Sequence, residues 1–363
     1  MLDLIAAAFE RQDYDTAAQL LQQLRHSSPT DPWVQFYSGR LDEISGKLDT
    51  AAEIYRQLLL SSVHVHARIM AQARQGITRI ESLLKAQRQQ AIAQATADAD
   101  NMQKGVLVLE PIASDRKSEA ARRLSQIMQI DPYTARLQLP SRGWRLYRTG
   151  AIGELQFFGQ QLLAADIPCF WATLAEIEQI QVFQARYFEV APAASVVCQN
   201  EVDELSFLSF QWSEVTHKVM GLLPLFEQVV DINVRGKLQR KTQTQDYAQF
   251  CDLHLSDRGY IVRLCDRDYM FHNGISFSEQ QTHNQTTVRI NWNHLQNFLD
   301  QKLERAASWS DFTIFANTAL DWSDLLAPMP SHIHLFRRDP SNWDAAFHLY
   351  SGLVFLKRKE KLM

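Results

Sequence analysis

The chain has 363 residues, 46% of them hydrophobic and 21% charged, with a formal net charge of -4. This composition excludes a disordered chain, the length suggests two or three domains at about 150 residues each, and the slight acidity argues against a general nucleic-acid binder. The start, Met1-Leu2-Asp3-Leu4, lacks the basic segment of a secretory signal, and no uncharged apolar run reaches the roughly 18 residues of a membrane span. Cys169, Cys198, Cys251 and Cys265 lie far apart with no Cys-x-x-Cys pair. The expectation is reduced thiols in a cytoplasmic protein.

In chain order, the first feature is an internal repeat: Tyr14-Asp15-Thr16-Ala17-Ala18 returns as Leu48-Asp49-Thr50-Ala51-Ala52, 34 positions later. Ile5 and Gly39, Leu21 and Tyr55, and Leu24 and Leu58 share that offset. Small residues recur where two helices must approach, and large apolar ones follow at i+4 and i+7. The pattern predicts helices over 2–11, 15–26, 32–44, 48–60 and 66–97, in a domain spanning 1–99. A period of 34 points to stacked helical hairpins, each unable to bury its apolar face alone.

Asp13-Tyr14, Lys47-Leu48, Ala17, Ala51 and Pro29 resemble the tetratricopeptide repeat family. The resemblance covers about residues 1–95. It implies an inner surface built from the first helix of each unit, and so a peptide-binding groove of Phe9, Trp33, Phe36, Arg40, Met70 and Arg74. Arg40 and Arg74 are 34 apart and would stack as a carboxylate-binding pair. The competing expectation is that they pair with local acids, or that the chain's own C-terminal domains fill the groove.

From Lys104 the period changes. Gly105–Leu109 reads as a buried strand, 115–129 as an amphipathic helix, Gly143–Arg148 as a strand, 151–165 as a helix and Pro168–Trp171 as a strand. Such alternation implies crossover units and a small ferredoxin-like αβ sandwich over 104–180. Beyond Gln181 seven short strands with turn signals, then a helix at 287–302, suggest a barrel or sandwich of pleckstrin-homology-like shape over 181–363. The segments Gly236–Gln243 and Trp309-Ser310-Asp311-Phe312 resemble the C-terminal part of uncharacterised cyanobacterial proteins that carry tetratricopeptide repeats. The whole chain is therefore expected to be multidomain α+β.

Chemistry is sparse. The sequence contains no Gly-x-Ser-x-Gly, Gly-x-Gly-x-x-Gly, phosphate loop or His-Glu-x-x-His. His64/His66 and His332/His334 have no nearby Cys or acid at ligand spacing, so no metal or cofactor is expected. Cys251 and His254, three apart on a strand, should face opposite ways and form no dyad. Arg235, Lys237, Arg240 and Lys241 form the densest basic run, either an anion-binding cluster or a solvated hairpin tip. The apolar run Phe347–Leu356 followed by Lys357-Arg358-Lys359 suggests a packed terminal element, or else a peripheral contact with an anionic membrane.

These features point to a non-catalytic adaptor or scaffold that binds a protein or peptide through its repeats and no specific nucleic acid. The alternatives are a membrane-peripheral or anionic-ligand-binding protein acting through the β-rich domain and basic tail, and an enzyme with an unrecognised site.

Overall fold

The computed structural model describes residues 1–60, 67–190, 193–199, 205–232, 238–277, 287–335, 337 and 341–360. Within them the chain is mixed α+β and divides into two compact units, Met1–Gln94 and Ala95–Met363.

The first unit is helical: α1 Leu2–Glu10, α2 Tyr14–Ser27, α3 Pro32–Ile44, α4 Leu48–Leu60 and α5 Ala67–Ala95. The 34-residue recurrence reaches the backbone. At the end of α1, Gln12 has φ of 59° and Asp13 N–H donates to Ala8 O at 2.9 Å. At the end of α3, Gly46 has φ of 79° and Lys47 N–H donates to Asp42 O at 2.8 Å. Both ends are the Schellman closure, in which a left-handed residue lets the chain turn back and satisfies the last carbonyls. Asp13 then caps α2 by accepting from Thr16 N–H, and Asp31, before Pro32, caps α3 by accepting from Trp33 N–H at 2.7 Å. Ala17 and Ala51 are fully buried, Leu21 packs with Ile5 and Val34, and Tyr55 packs with Phe36, Ile69 and Ala73.

The second unit holds β1 Lys104–Leu109, α6 Lys117–Met128, α7 Pro132–Gln138, β2 Arg145–Ala151, α8 Ile152–Ala164, β3 Cys169–Thr173 and α9 Leu174–Glu178. Then follow β4 Gln181–Val190, β5 Ala194–Gln199, β6 Leu205–Phe210, β7 His217–Ile232, β8 Leu238–Leu255 and β9 Tyr260–Cys265. The chain continues with α10 Val288–Lys302, β10 Ala307–Trp309, α11 Phe312–Ala319, α12 Ser323–Leu326 and α13 Asn342–Glu360. The small sheet has order β2-β1-β3, with β1 antiparallel to both neighbours. In place of a barrel or sandwich, the other strands form one seven-stranded sheet in linear order, β10-β7-β8-β9-β4-β5-β6. Where short strands separated by turns were expected, β7 is one strand of 16 residues that runs through Pro224. Proline is tolerated there because β10 pairs with β7 only over His217–Val219, so among the described residues β7 beyond that point is an edge.

The expected division near residue 180 does not separate two cores. Val106, Val108 and Phe170 from the small sheet share a core with Val219, Leu223 and Phe250 from the large one, and the shared centre is α13. Every residue of Ala345–Phe355 is buried. A helix apolar all round is an interior helix. Glycines let it in: a Cβ on Gly221 would lie 2.4 Å from the Phe347 ring, and one on Gly352 would lie 2.7 Å from Ile177. On the opposite face of the large sheet, α10 buries Trp292, Leu295 and Leu299 against Cys251, Leu253 and Leu264.

Gln12 occupies the left-handed position that Gly46 holds in the second hairpin, and a side chain there is strained. Gln12→Gly should therefore raise stability by up to about 1 kcal/mol, read from chemical denaturation, whereas Gly46→Gln should lower it by a similar amount.

Candidate functional site

On the repeat face, the structure brings together part of the expected groove. Phe9 stacks on Tyr37 with ring centroids 5.2 Å apart, and Tyr37 stacks on Trp33 at 5.9 Å. All three rings are half-buried. Phe36 is not a groove residue: it is buried at 5% exposure and packs 5.9 Å from Tyr55. Met70 is half-buried at the start of α5. Tyr37 was not singled out by the sequence reading, although it lies one turn from both Trp33 and Arg40 on the same helix. Burial raises its hydroxyl above the ordinary value, Arg68 opposes that, and Glu10 and Asp3 add to it.

Arg40 and Arg74 do not act as an equivalent pair. Arg40 lies 3.6 Å from Glu43, whereas Arg74 is exposed and makes no ion pair among the described residues. Glu43 is a knot between three helices. It receives two hydrogen bonds from Arg79 of α5, at 2.9 and 3.1 Å, and one from the Tyr55 hydroxyl of α4 at 2.8 Å. Burial would raise its carboxyl, but the Arg79 and Tyr55 hydrogen bonds outweigh that and hold it below its ordinary value.

The other expected sites resolve differently. Arg235 and Lys237 lie outside the described residues, as do His64 and His66. Arg240 and Lys241 are exposed neighbours on β8 and so point to opposite faces of the strand. Among the described residues no group of three or more His, Cys, Asp or Glu is placed to hold a metal ion. All four cysteines are free and buried, and burial pushes the Cys251 thiol up to about 12. Cys251 packs towards α10 while His254 faces α13, as the strand alternation requires. The run Phe347–Phe355 is buried in α13, so it offers no apolar face to a membrane. Lys357 pairs with Glu110 and sits 5.0 Å over the Trp144 ring. No helix among the described residues is long and apolar enough to cross a membrane.

A serine, a histidine and an aspartate do meet, at the contact of α13 with β8. Ser351 Oγ donates to Asp252 Oδ2 at 2.6 Å, and His254 Nε2 lies 2.9 Å from Ser351 Oγ. The serine proton is committed to the carboxylate, so the imidazole must donate, which leaves its Nδ1 as the unpaired acceptor. A nucleophilic triad needs the reverse order, with histidine accepting from serine and donating to aspartate. All three residues are fully buried. Arg263, directly across from Asp252 on β9, completes the cluster with bonds of 2.9 and 2.7 Å to its two oxygens. This is a structural lock.

The structure also shows a pocket that the sequence reading missed. It measures about 390 Å³ and lies beside the open edge of β7, between α10 and the start of α11. Lys218, 4% exposed, reaches Asp300 of α10 at 2.6 Å. Gln296, one turn before Asp300, is next to the Cys251 thiol but has neither its buried oxygen nor its buried nitrogen in a well-formed hydrogen bond. Met220, Leu222 and Trp292 supply apolar wall, and Gln249, Asn293, Ser310 and Thr313 add polar lining. The available signal was Lys218 amid an apolar strand, facing polar Gln296 and Asp300 on a helix whose neighbouring positions are core. Comparison with family models, curated proteins and solved structures finds no match for this chain.

Two measurements test the buried groups. Asp252→Ala strands the Arg263 guanidinium and should cost about 3–5 kcal/mol in chemical denaturation, while Asp252→Ala/Arg263→Met should recover much of that loss. His348 is fully buried with neither ring nitrogen paired among the described residues, and burial, with Arg263 and His332 adding, holds it well below the ordinary 6.5. The unfolded state therefore takes up a proton that the folded state refuses. Its contribution is complete above about pH 6.5 and is lost as pH falls below that, by up to about 1.4 kcal/mol per pH unit. His348→Phe should remove one group's share of that acid slope.

Proposed function

We propose that this chain is a non-catalytic adaptor whose helical unit docks a peptide on the face carrying Phe9, Tyr37 and Trp33. The observation that carries the reading is that file of half-buried, mutually stacked aromatic rings on the first helices of two successive hairpins. Aromatic rings held rigid by one another present contact area at little entropic cost. The recurrence of the turns at 34 residues supports the tetratricopeptide-like reading of the unit.

Charge selects the occupant. Around Glu43 the arginines Arg40 and Arg79 outnumber the acid, and Arg74 lies between one and two turns earlier on α5 with no acid partner among the described residues. The net positive charge favours an acidic peptide with an aromatic or branched side chain to set against Trp33 and Tyr37. The second unit then acts as the body that the docked partner is brought to. Within it, β2, α8 and β3 form a crossover that straddles β1, which supports a ferredoxin-like reading of the small sheet as a spacer.

The test is selection from a displayed random-peptide library on the full chain. Enriched peptides should combine Asp or Glu with an aromatic or aliphatic anchor, and Trp33→Ala or Arg74→Glu should weaken their binding about tenfold or more. Enrichment without acidic residues, or binding indifferent to both substitutions, would overturn the proposal.

A further inference from the structure

The pocket beside β7 has a chemistry specific enough to name a ligand class. Among the described residues that line it, the cation is the Lys218 ammonium, sequestered at 4% exposure, and the anion is the Asp300 carboxylate, 65% exposed at the rim and 2.6 Å away. A purely anionic ligand drawn to Lys218 would meet the Asp300 carboxylate, and a purely cationic one drawn to Asp300 would meet the ammonium. A molecule carrying both charges a few ångströms apart, laid antiparallel to the pair, satisfies both at once.

Gln296 points the same way. Its carboxamide is buried with oxygen and nitrogen both lacking a well-formed hydrogen bond, an arrangement that costs free energy unless something fills it. One face of that amide can donate to a carboxylate and the other accept from an ammonium. Gln296 and Asp300 are four apart on α10 and so lie on one side of the helix. Met220, Leu222 and Trp292 give the wall its apolar part, beside polar Asn293, Ser310 and Thr313, and β10 pairs with β7 only as far as Val219, so among the described residues β7 from Met220 onward meets no further strand on that side. The volume, about 390 Å³, lies at the small end of ligand sites.

We infer that this pocket binds a small zwitterion with an apolar side chain, an apolar α-amino acid being the simplest member: carboxylate towards Lys218 and Gln296, ammonium towards Asp300, side chain against the apolar wall. The inference rests on different residues, and a different unit, from the peptide face.

The experiment is calorimetric titration and thermal melting of the full chain with L-leucine, L-phenylalanine and L-methionine. Each is compared with the matching compound that lacks the amino group or the carboxylate. At least one amino acid should bind saturably and raise the melting temperature, and both truncated compounds should bind about tenfold more weakly or worse. Gln296→Leu removes two buried polar atoms that have no well-formed partner, so it should fold at least as well as the parent while losing amino-acid binding. Asp300→Asn should lose discrimination against the compound without the amino group. Absence of binding by every amino acid, equal binding of the plain carboxylic acids, or unchanged binding by Gln296→Leu would each overturn the assignment.

Discussion

The second unit is held in register by a buried ion pair. Asp252 and Arg263 face each other across β8 and β9 with two hydrogen bonds between them, and Ser351 of α13 supplies a third to the same carboxylate. Arg263 spends another donor on the carbonyl of Ser331 at 2.7 Å, and its guanidinium lies 5.1 Å from the Phe347 ring. An ion pair this deep adds little net stability over an apolar replacement, because two charges have lost their water. What it adds is a penalty for every arrangement in which α13 is rotated or shifted, since each would strand a charge. An otherwise apolar helix, free to slide on purely apolar surfaces, acquires one position.

That position decides the architecture. Around α13 the small sheet, the large sheet and α11 bury side chains in common. Two sheets that read as separate modules along the chain therefore share one interior, with the last helix as its centre. The same arrangement places the apolar residues of Phe347–Phe355 inside rather than at a surface.

In the first unit a smaller knot plays the corresponding part. Glu43 draws Arg79, Tyr55 and Arg40 to one carboxylate and so ties α3, α4 and α5. The arginine that the repeat arithmetic pairs with Arg74 is thereby engaged within the fold. Aromatic stacking through Tyr37, rather than a ladder of equivalent arginines, becomes the distinguishing feature of the face. The two proposed sites differ accordingly. One is a surface of stacked aromatic rings with arginines gathered around Glu43, and the other a charge-balanced pocket at an open strand edge with an amide that lacks a well-formed hydrogen bond.

The sequence by itself determined everything that depends on neighbours a few residues apart. The bounds of α1 to α5, the recurrence at 34 and the opposite facing of Cys251 and His254 follow from local periodicity and backbone geometry. So do β1, α8 and α10, whose apolar spacing is plain. Only the tertiary structure decided that β7 runs unbroken through Pro224, because that depends on an edge left open by a short β10. It alone decided that Phe36 is core and Arg40 occupied, that the large sheet is linear, and that α13 lies inside. The pocket was equally illegible: Lys218, Gln296 and Asp300 belong to elements about 80 residues apart in the chain. A charge or an amide in a sequence shows its type, but whether it is paired, stranded or exposed is set by groups that only folding brings within hydrogen-bonding distance.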